Sequence, residues 1–194
     1  MSIHEHGEPT ADVIQRLLRP ERTSTLDPFV VLSHCPINFR DTVADIGCGP
    51  GYFTLPLAKQ LVNGKVYALD VNQEMLDVCR ERVNEARMGN VEIVQCEEYS
   101  FPLPPETMDG LFVAFVVHHP QDRARFLAAI KELLKPKGWC SVLEWQAKET
   151  ESGPPVSSRI APSELEELTR SVGFRVINWR SINEDHYMMT LMNT

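Results

Sequence analysis

Long apolar runs are scarce in this chain. The longest, Leu111 to Val117, falls far short of the roughly 20 apolar residues a membrane-spanning helix needs, so no membrane span is expected. No charged stretch leading into a long apolar segment marks the N-terminus, and no signal peptide is expected. Cysteine is sparse: Cys35, Cys48, Cys79, Cys96 and Cys140 are odd in number and contain no C-x-x-C. That usage argues against a disulfide frame or a zinc site and for reduced thiols in a cytoplasmic protein. Basic charge is also in deficit, with 19 Lys+Arg against 27 Asp+Glu and a net charge of −8. Nucleic-acid binding needs a basic patch to neutralise phosphates. The densest basic segment, Lys131 to Lys137, reads as a solvated helix end. A small-molecule substrate is therefore expected and a nucleic acid is not. The His4-x-His6 pair lies at the terminus, and without an acidic or cysteine partner brought to it no metal site is expected.

What the chain does have is a regular alternation of strand and helix signals. Its 194 residues suit one main domain of residues 41–194, preceded by residues 1–40 as a helical cap or arm. Pro20, Pro28 and Pro36 break that first region into two helical patterns. Ile14, Leu17 and Leu18 share a face of the first, and Phe29, Val30 and Leu32 mark the second. A cap over a ligand site and an arm packed on a sheet edge are equal readings of it.

Strands are predicted at Thr42–Ile46, Lys65–Val71, Val91–Gln95, Met108–Val117 and Trp139–Trp145. The intervening helices start near Phe53, at an Asn72 cap and at Gln121, the last running to Leu134. Ser163-Glu164-Leu165-Glu166 has the form of a capping box for a final helix ending at Gly173. Phe174–Ile182 and His186–Met192 close the chain as a hairpin around Asn183-Glu184-Asp185. Such alternation implies an α/β fold with a mostly parallel sheet and helices on both faces. The terminal hairpin strand must be antiparallel.

The densest signal is Val43 to Gly51, V-A-D-I-G-C-G-P-G. A short apolar strand ends on an acidic residue and runs into glycines at alternate positions, a turn that brings backbone close to a ligand. The dinucleotide fingerprint would place its third glycine at Tyr52, where a bulky side chain stands instead. The stretch resembles motif I of the class I S-adenosylmethionine (SAM)-dependent methyltransferases. Asp70, about twenty residues on, the acidic pair after the third strand and Leu134-Lys135-Pro136-Lys137-Gly138 follow in the order of that family. The resemblance covers roughly Thr42 to Gly173. It implies a Rossmann-like, seven-stranded, mostly parallel sheet with an antiparallel C-terminal hairpin strand.

The same resemblance assigns roles. Gly47, Cys48, Gly49 and Gly51 would hold the methionine part of SAM, with Asp45 accepting from loop amides or from the cofactor ammonium. Asp70 would hold the ribose hydroxyls, and Val71, Asn72 and Met75 would flank the adenine. Glu97 or its neighbour Glu98 would accept from the adenine amino group. Phe115, within Ala114 to His119, would line the wall facing the methyl. The product would be S-adenosylhomocysteine. Methyl transfer is an in-line displacement, so alignment does most of the work. Where the acceptor must lose a proton, His118 and His119 are the base candidates. The bland reading of the two is that one packs on the sheet and the other caps the next helix. Glu144 and Arg159 are weaker pocket candidates. Cys48 reads as a small loop residue, because no resolving cysteine lies near it in sequence.

The Phe-Val-Val-His-His stretch, the Gly-Pro-Pro loop and the Ser-Glu-Leu ending are most similar to small-molecule methyltransferases near the ubiquinone/menaquinone-biosynthesis group. A quinone-like acceptor is the leading suggestion, in a monomer or homodimer. Two rival classes stand beside this reading: a SAM-binding regulatory or partner subunit without catalysis, and an NAD-dependent oxidoreductase.

Overall fold

The computed structural model describes residues 10–194, so His4 and His6 lie outside the described residues. Its seven strands form one sheet in the order β3-β2-β1-β4-β5-β7-β6, the Rossmann-like arrangement expected. The chain divides into two compact units, one ending at Glu97 and the other spanning Glu98–Thr194.

The first unit opens with three short helices, not two: α1 (Thr10–Leu18), α2 (Glu21–Thr25) and α3 (Pro28–Leu32). Asp27 starts α3, its side chain accepting from the amides of Phe29 and Val30, with Pro28 at the first helical position. The buried face of α3 carries Val31 and Leu32, while Phe29 and Val30 stay exposed, a correction to the predicted face. Strands β1 (Thr42–Ile46), β2 (Lys65–Asp70) and β3 (Val91–Gln95) pair in parallel. Between them run α4 (Thr54–Gln60) and α5 (Gln73–Glu85). Asn72 caps α5 as expected, accepting from the amides of Glu74 and Met75. The predicted stripe Met75, Leu76, Cys79 and Val83 is the buried face of that helix. Leu76, Cys79 and Val83 pack with Ala68 and Cys48. Burying a leucine such as Leu76 contributes about 2 kcal/mol.

The second unit holds β4 (Met108–Ala114), α6 (Arg123–Lys131), β5 (Leu134–Trp145), α7 (Pro162–Ser171), β6 (Phe174–Ser181) and β7 (His186–Asn193). β4 and β5 are parallel, while β7 is antiparallel to both β5 and β6. The larger departures from the predicted boundaries have physical causes. β4 ends at Ala114, not Val117, because Phe115 takes a left-handed φ of 61° that breaks the pleat. α6 stops at Lys131, short of the predicted Leu134. Pro136 disfavours helical backbone at the residue before it, and Leu134 instead pairs with Met108. Residues 135–138 then bulge before Trp139 pairs with Gly110. A Cβ on Gly110 would lie 2.1 Å from the Trp139 ring, so glycine is required under that indole. Finally, Ser163 is not a cap: Ala161 precedes α7 without a side-chain cap and Pro162 begins it.

Candidate functional site

In the first unit, the C-terminal ends of β1 and β2 bring together Asp45, the glycine loop, Asp70, Val71, Asn72 and Met75. The loop is built on left-handed glycines, with φ of 70° at Gly47, 54° at Gly49 and 81° at Gly51, dihedrals that cost any other residue free energy. Its amides are already committed. Gly47 and Cys48 both donate to the Leu69 carbonyl at 2.8 and 2.9 Å, and Gly51 donates to the Cys48 carbonyl at 3.1 Å. The Gly49 amide donates to Asp70 Oδ2 at 2.8 Å, and the Asn72 amide donates to Asp70 Oδ1 at 2.9 Å. The one loop amide that reaches a carboxylate, that of Gly49, thus goes to Asp70, not to Asp45 as one of the two sequence readings allowed. Asp45 is buried and accepts from Thr54 Oγ1 at 2.6 Å. Burial pushes its carboxyl up to about 7, with the Asp70 charge adding to the rise and the Thr54 bond opposing it.

The pattern discriminates between ligands. A pyrophosphate needs amide donors, and the amides of residues 47, 48, 49 and 51 are spent. A ligand carrying an ammonium and ribose hydroxyls brings its own donors. A carboxylate has roughly four acceptor sites, and the Gly49 and Asn72 amides are among the donors Asp70 receives. A Cβ built on Gly49 would meet only Leu17 Cδ1, at 3.8 Å, so the loop surface is roomy there and α1 lies beside it. The residues fit the SAM group the sequence implies. On the far side of the loop, Gly51 is needed for packing: a Cβ there would lie 2.8 Å from Cys79 Sγ. Arg22 of α2 stacks 4.2 Å above the Tyr52 ring, and the Tyr52 hydroxyl donates to the Leu26 carbonyl at 2.8 Å. The first helices are thereby fastened to the residue that follows the loop. Glu97, after β3, is exposed.

The second unit gathers a different set. Glu98 is half-buried at its start. The Phe115 ring lies 5.6 Å from Trp145 and 5.2 Å from His186, and those two rings are 4.2 Å apart. Beside this trio in sequence, His118 is buried against Glu144. Its Nδ1 lies 2.8 Å from Oε2 and 3.1 Å from Oε1, and its amide donates to Oε1 at 3.2 Å. A carboxylate facing Nδ1 selects the tautomer with its proton there, which leaves the neutral ring's lone pair on Nε2. The His119 ring stacks 4.1 Å from that of His118. Burial lowers the His119 imidazole to about 4, with His118 adding to the fall, so it is neutral at physiological pH. Neither histidine caps α6; Asp122 does, accepting from the Arg125 amide.

Arg159 organises the loop of residues 146–158. Its guanidinium donates to the carbonyls of Pro154 (2.9 Å), Gln146 (3.1 Å), Lys148 (2.7 Å) and Ser152 (3.2 Å), and to Thr150 Oγ1 (2.7 Å). It also sits 5.1 Å from the Trp145 ring. Sequence reasoning missed Thr54, Trp145 and His186 and underweighted Glu144. Pairing the last strand against the fifth would have found His186, since it sits opposite Trp145 in the antiparallel register.

Several known proteins are similar to this chain. Residues 43–138 match the methyltransferase domain family. A SAM-dependent methyltransferase from Aquifex aeolicus has a crystal structure with a TM-score of 0.89 and 30% identity, covering 96% of this chain and 100% of that one. The ubiquinone/menaquinone biosynthesis C-methyltransferase of Marinomonas sp. is 32% identical over 122 residues, 62% of this chain and 49% of that protein. The chain thus spans about half the length of that curated relative. The [4+2]-cyclase SpnF shares the fold at a TM-score of 0.76 and 16% identity, covering 86% of this chain and 79% of that one. By full-length likeness to the Aquifex protein and by its glycine loop, the chain belongs to the class I SAM-dependent methyltransferases.

Proposed function

We propose that this protein transfers a methyl group from SAM to a small, planar, quinone-like acceptor, with His118 as general base. The observation that carries the reading is the glycine loop, whose amides are committed to Leu69, Cys48 and Asp70 and which therefore suits a ligand that brings donors. When bound, SAM supplies a methyl group already activated on a sulfonium. The protein's task is then to align and desolvate, an effect worth about 7–11 kcal/mol. Asp70 accepts from the ribose hydroxyls while holding Gly49 in place. Asp45 favours a cationic ligand, whose ammonium draws its raised carboxyl back toward the anion.

For the acceptor, the Phe115, Trp145 and His186 rings offer faces on which a flat ring stacks. The curated relative is named for C-methylation in quinone biosynthesis, and methylation at a ring carbon requires that carbon to lose a proton. His118 Nε2, with Nδ1 held by Glu144, takes a proton from the acceptor, a contribution of about 10²–10⁴-fold. His119 stays neutral beside it and does not compete for charge.

Calorimetric titration with SAM, S-adenosylhomocysteine and NAD in parallel tests the cofactor reading. Transfer of labelled methyl from SAM to a panel of quinols, phenols and amines tests the acceptor. Binding of both sulfur nucleotides with transfer to a quinol is the expected result. Binding of NAD alone would overturn the loop assignment. Sulfur-nucleotide binding without transfer to any acceptor would favour a regulatory subunit.

A further inference from the structure

The fold supplies what the sequence around Cys48 lacks. Cys79, on α5, packs in one cluster with Cys48 of the glycine loop, and its Sγ lies against that loop, 2.8 Å from where a Cβ on Gly51 would stand. Cys79 Sγ reaches Thr54 Oγ1 at 4.0 Å and Cys48 Sγ reaches the Gly49 carbonyl at 3.5 Å. The environments of the two sulfurs are unequal. Interaction with Cys48 holds the Cys79 thiol below its ordinary range, with Thr54 and Arg82 acting in the same direction against burial. That same interaction, and then burial, pushes the Cys48 thiol well up. Arg82 lies one turn beyond Cys79 on α5 and donates to the Pro50 carbonyl at 2.6 Å, so helix and loop are already tied at this point.

We propose that Cys48 and Cys79 are a thiol pair that peroxide converts to a disulfide, and that this bond switches off the cofactor loop. The Cys79 thiolate attacks one oxygen of hydrogen peroxide, forming an S–O bond and breaking O–O, and the departing hydroxide takes a proton to become water. The product is a sulfenic acid. Cys48 then loses its proton and attacks that sulfur, forming S–S and expelling the second hydroxide as water. Two thiols are oxidised by two electrons in all, and one peroxide is reduced to two waters. A small oxidant is required, because Cys79 is fully buried and Cys48 is only 7% exposed.

The link would act through the backbone. Cys48 stands between Gly47 and Gly49, and drawing its sulfur onto α5 pulls on the segment that holds the Gly49 amide on Asp70. The effect on ligand rests on the loop being the SAM site; the bond itself does not.

The experiment treats the reduced full-length protein with stoichiometric hydrogen peroxide. Intact mass and a non-reducing peptide map are read first, followed by titration with S-adenosylhomocysteine before and after dithiothreitol. Loss of two hydrogens, a crosslink between the peptides holding Cys48 and Cys79, and an affinity lower by at least about tenfold that the reductant restores are expected. Cys48→Ser should abolish the mass loss, and the map on the wild-type protein stands if that variant folds poorly. No mass loss, a crosslink mapping to Cys35, Cys96 or Cys140, or unchanged affinity in the linked protein would overturn the proposal. Failure of the reduced protein to bind S-adenosylhomocysteine would overturn the cofactor reading instead, because mass and linkage are read without ligand.

Discussion

The two units make their sites by different means. The first works with backbone: three left-handed glycines, four committed amides and one carboxylate, Asp70, that receives two of the peptide N–H groups around it. The second works with side chains from distant positions: His118 on Glu144, Phe115 against Trp145 and His186, and Arg159 through its loop. A backbone site suits a ligand common to a whole family, because few substitutions can alter it. A side-chain site can be rewritten one residue at a time, and it is where a family's acceptor specificity can diverge.

The sharpest way to separate the two is to remove chemistry without removing cofactor. His118→Ala should lower kcat by about 10²–10⁴-fold while S-adenosylhomocysteine affinity stays as in the wild type. Glu144→Gln should lower kcat less, because a neutral amide oxygen still accepts from Nδ1. A wild-type kcat for His118→Ala would remove the base and leave alignment as the sole catalytic device. The converse experiment is Asp70→Ala, which deletes two charge-assisted hydrogen bonds worth about 1.5–3 kcal/mol each. S-adenosylhomocysteine affinity should fall about 100-fold, or roughly 3 kcal/mol. Unchanged affinity in a folded Asp70→Ala protein would sink the ribose assignment.

This contrast also explains what could be read in advance. The strand–glycine–helix register of the first unit follows from local rules, so β1, β3, the Asn72 cap and the buried stripe of α5 were legible to the residue. Adjacency to the loop suggested loop amides as one of two partners for Asp45. The Gly49 amide goes instead to Asp70, one strand over, and only strand pairing reveals it. In the second unit the errors cluster where backbone leaves its period: left-handed Phe115 ended β4 early, and the bulge at residues 135–138 joined Leu134 to a strand assigned to start at Trp139. Glu144 and His118 lie on different elements, and no local pattern announces that they meet.

Arg159 tests whether the second unit's loop depends on one residue. The guanidinium is buried and donates to four carbonyls and a hydroxyl, so Arg159→Ala should cost about 2 kcal/mol of stability and speed hydrogen exchange across residues 146–158. Arg159→Lys should recover little, since an ammonium cannot span that fan of acceptors. Exchange rates unchanged in Arg159→Ala would show the loop to be held by its own turns.

The smallest effect separates the units by the sign of a pH response. Asp45, in the first, has its folded carboxyl raised to about 7 from an ordinary 3.8. The native state therefore holds the extra proton between those values, and stability from this group grows as pH falls through 7. His119, in the second, is lowered from 6.5 to about 4. There the unfolded chain holds the extra proton, and stability is complete above 6.5 and is lost as pH falls toward 4. Taking pH from 7 to 5.5, each contribution changes by roughly 1–2 kcal/mol in opposite directions, so the wild-type protein should show little net change in denaturation midpoint. Asp45→Asn should expose the loss, giving a protein less stable at pH 5.5 than at pH 7. His119→Gln should expose the gain and reverse that order. A variant whose midpoint shift matches that of the wild type would show that the substituted group titrates as it does in the unfolded chain, and the other variant should then respond little to pH.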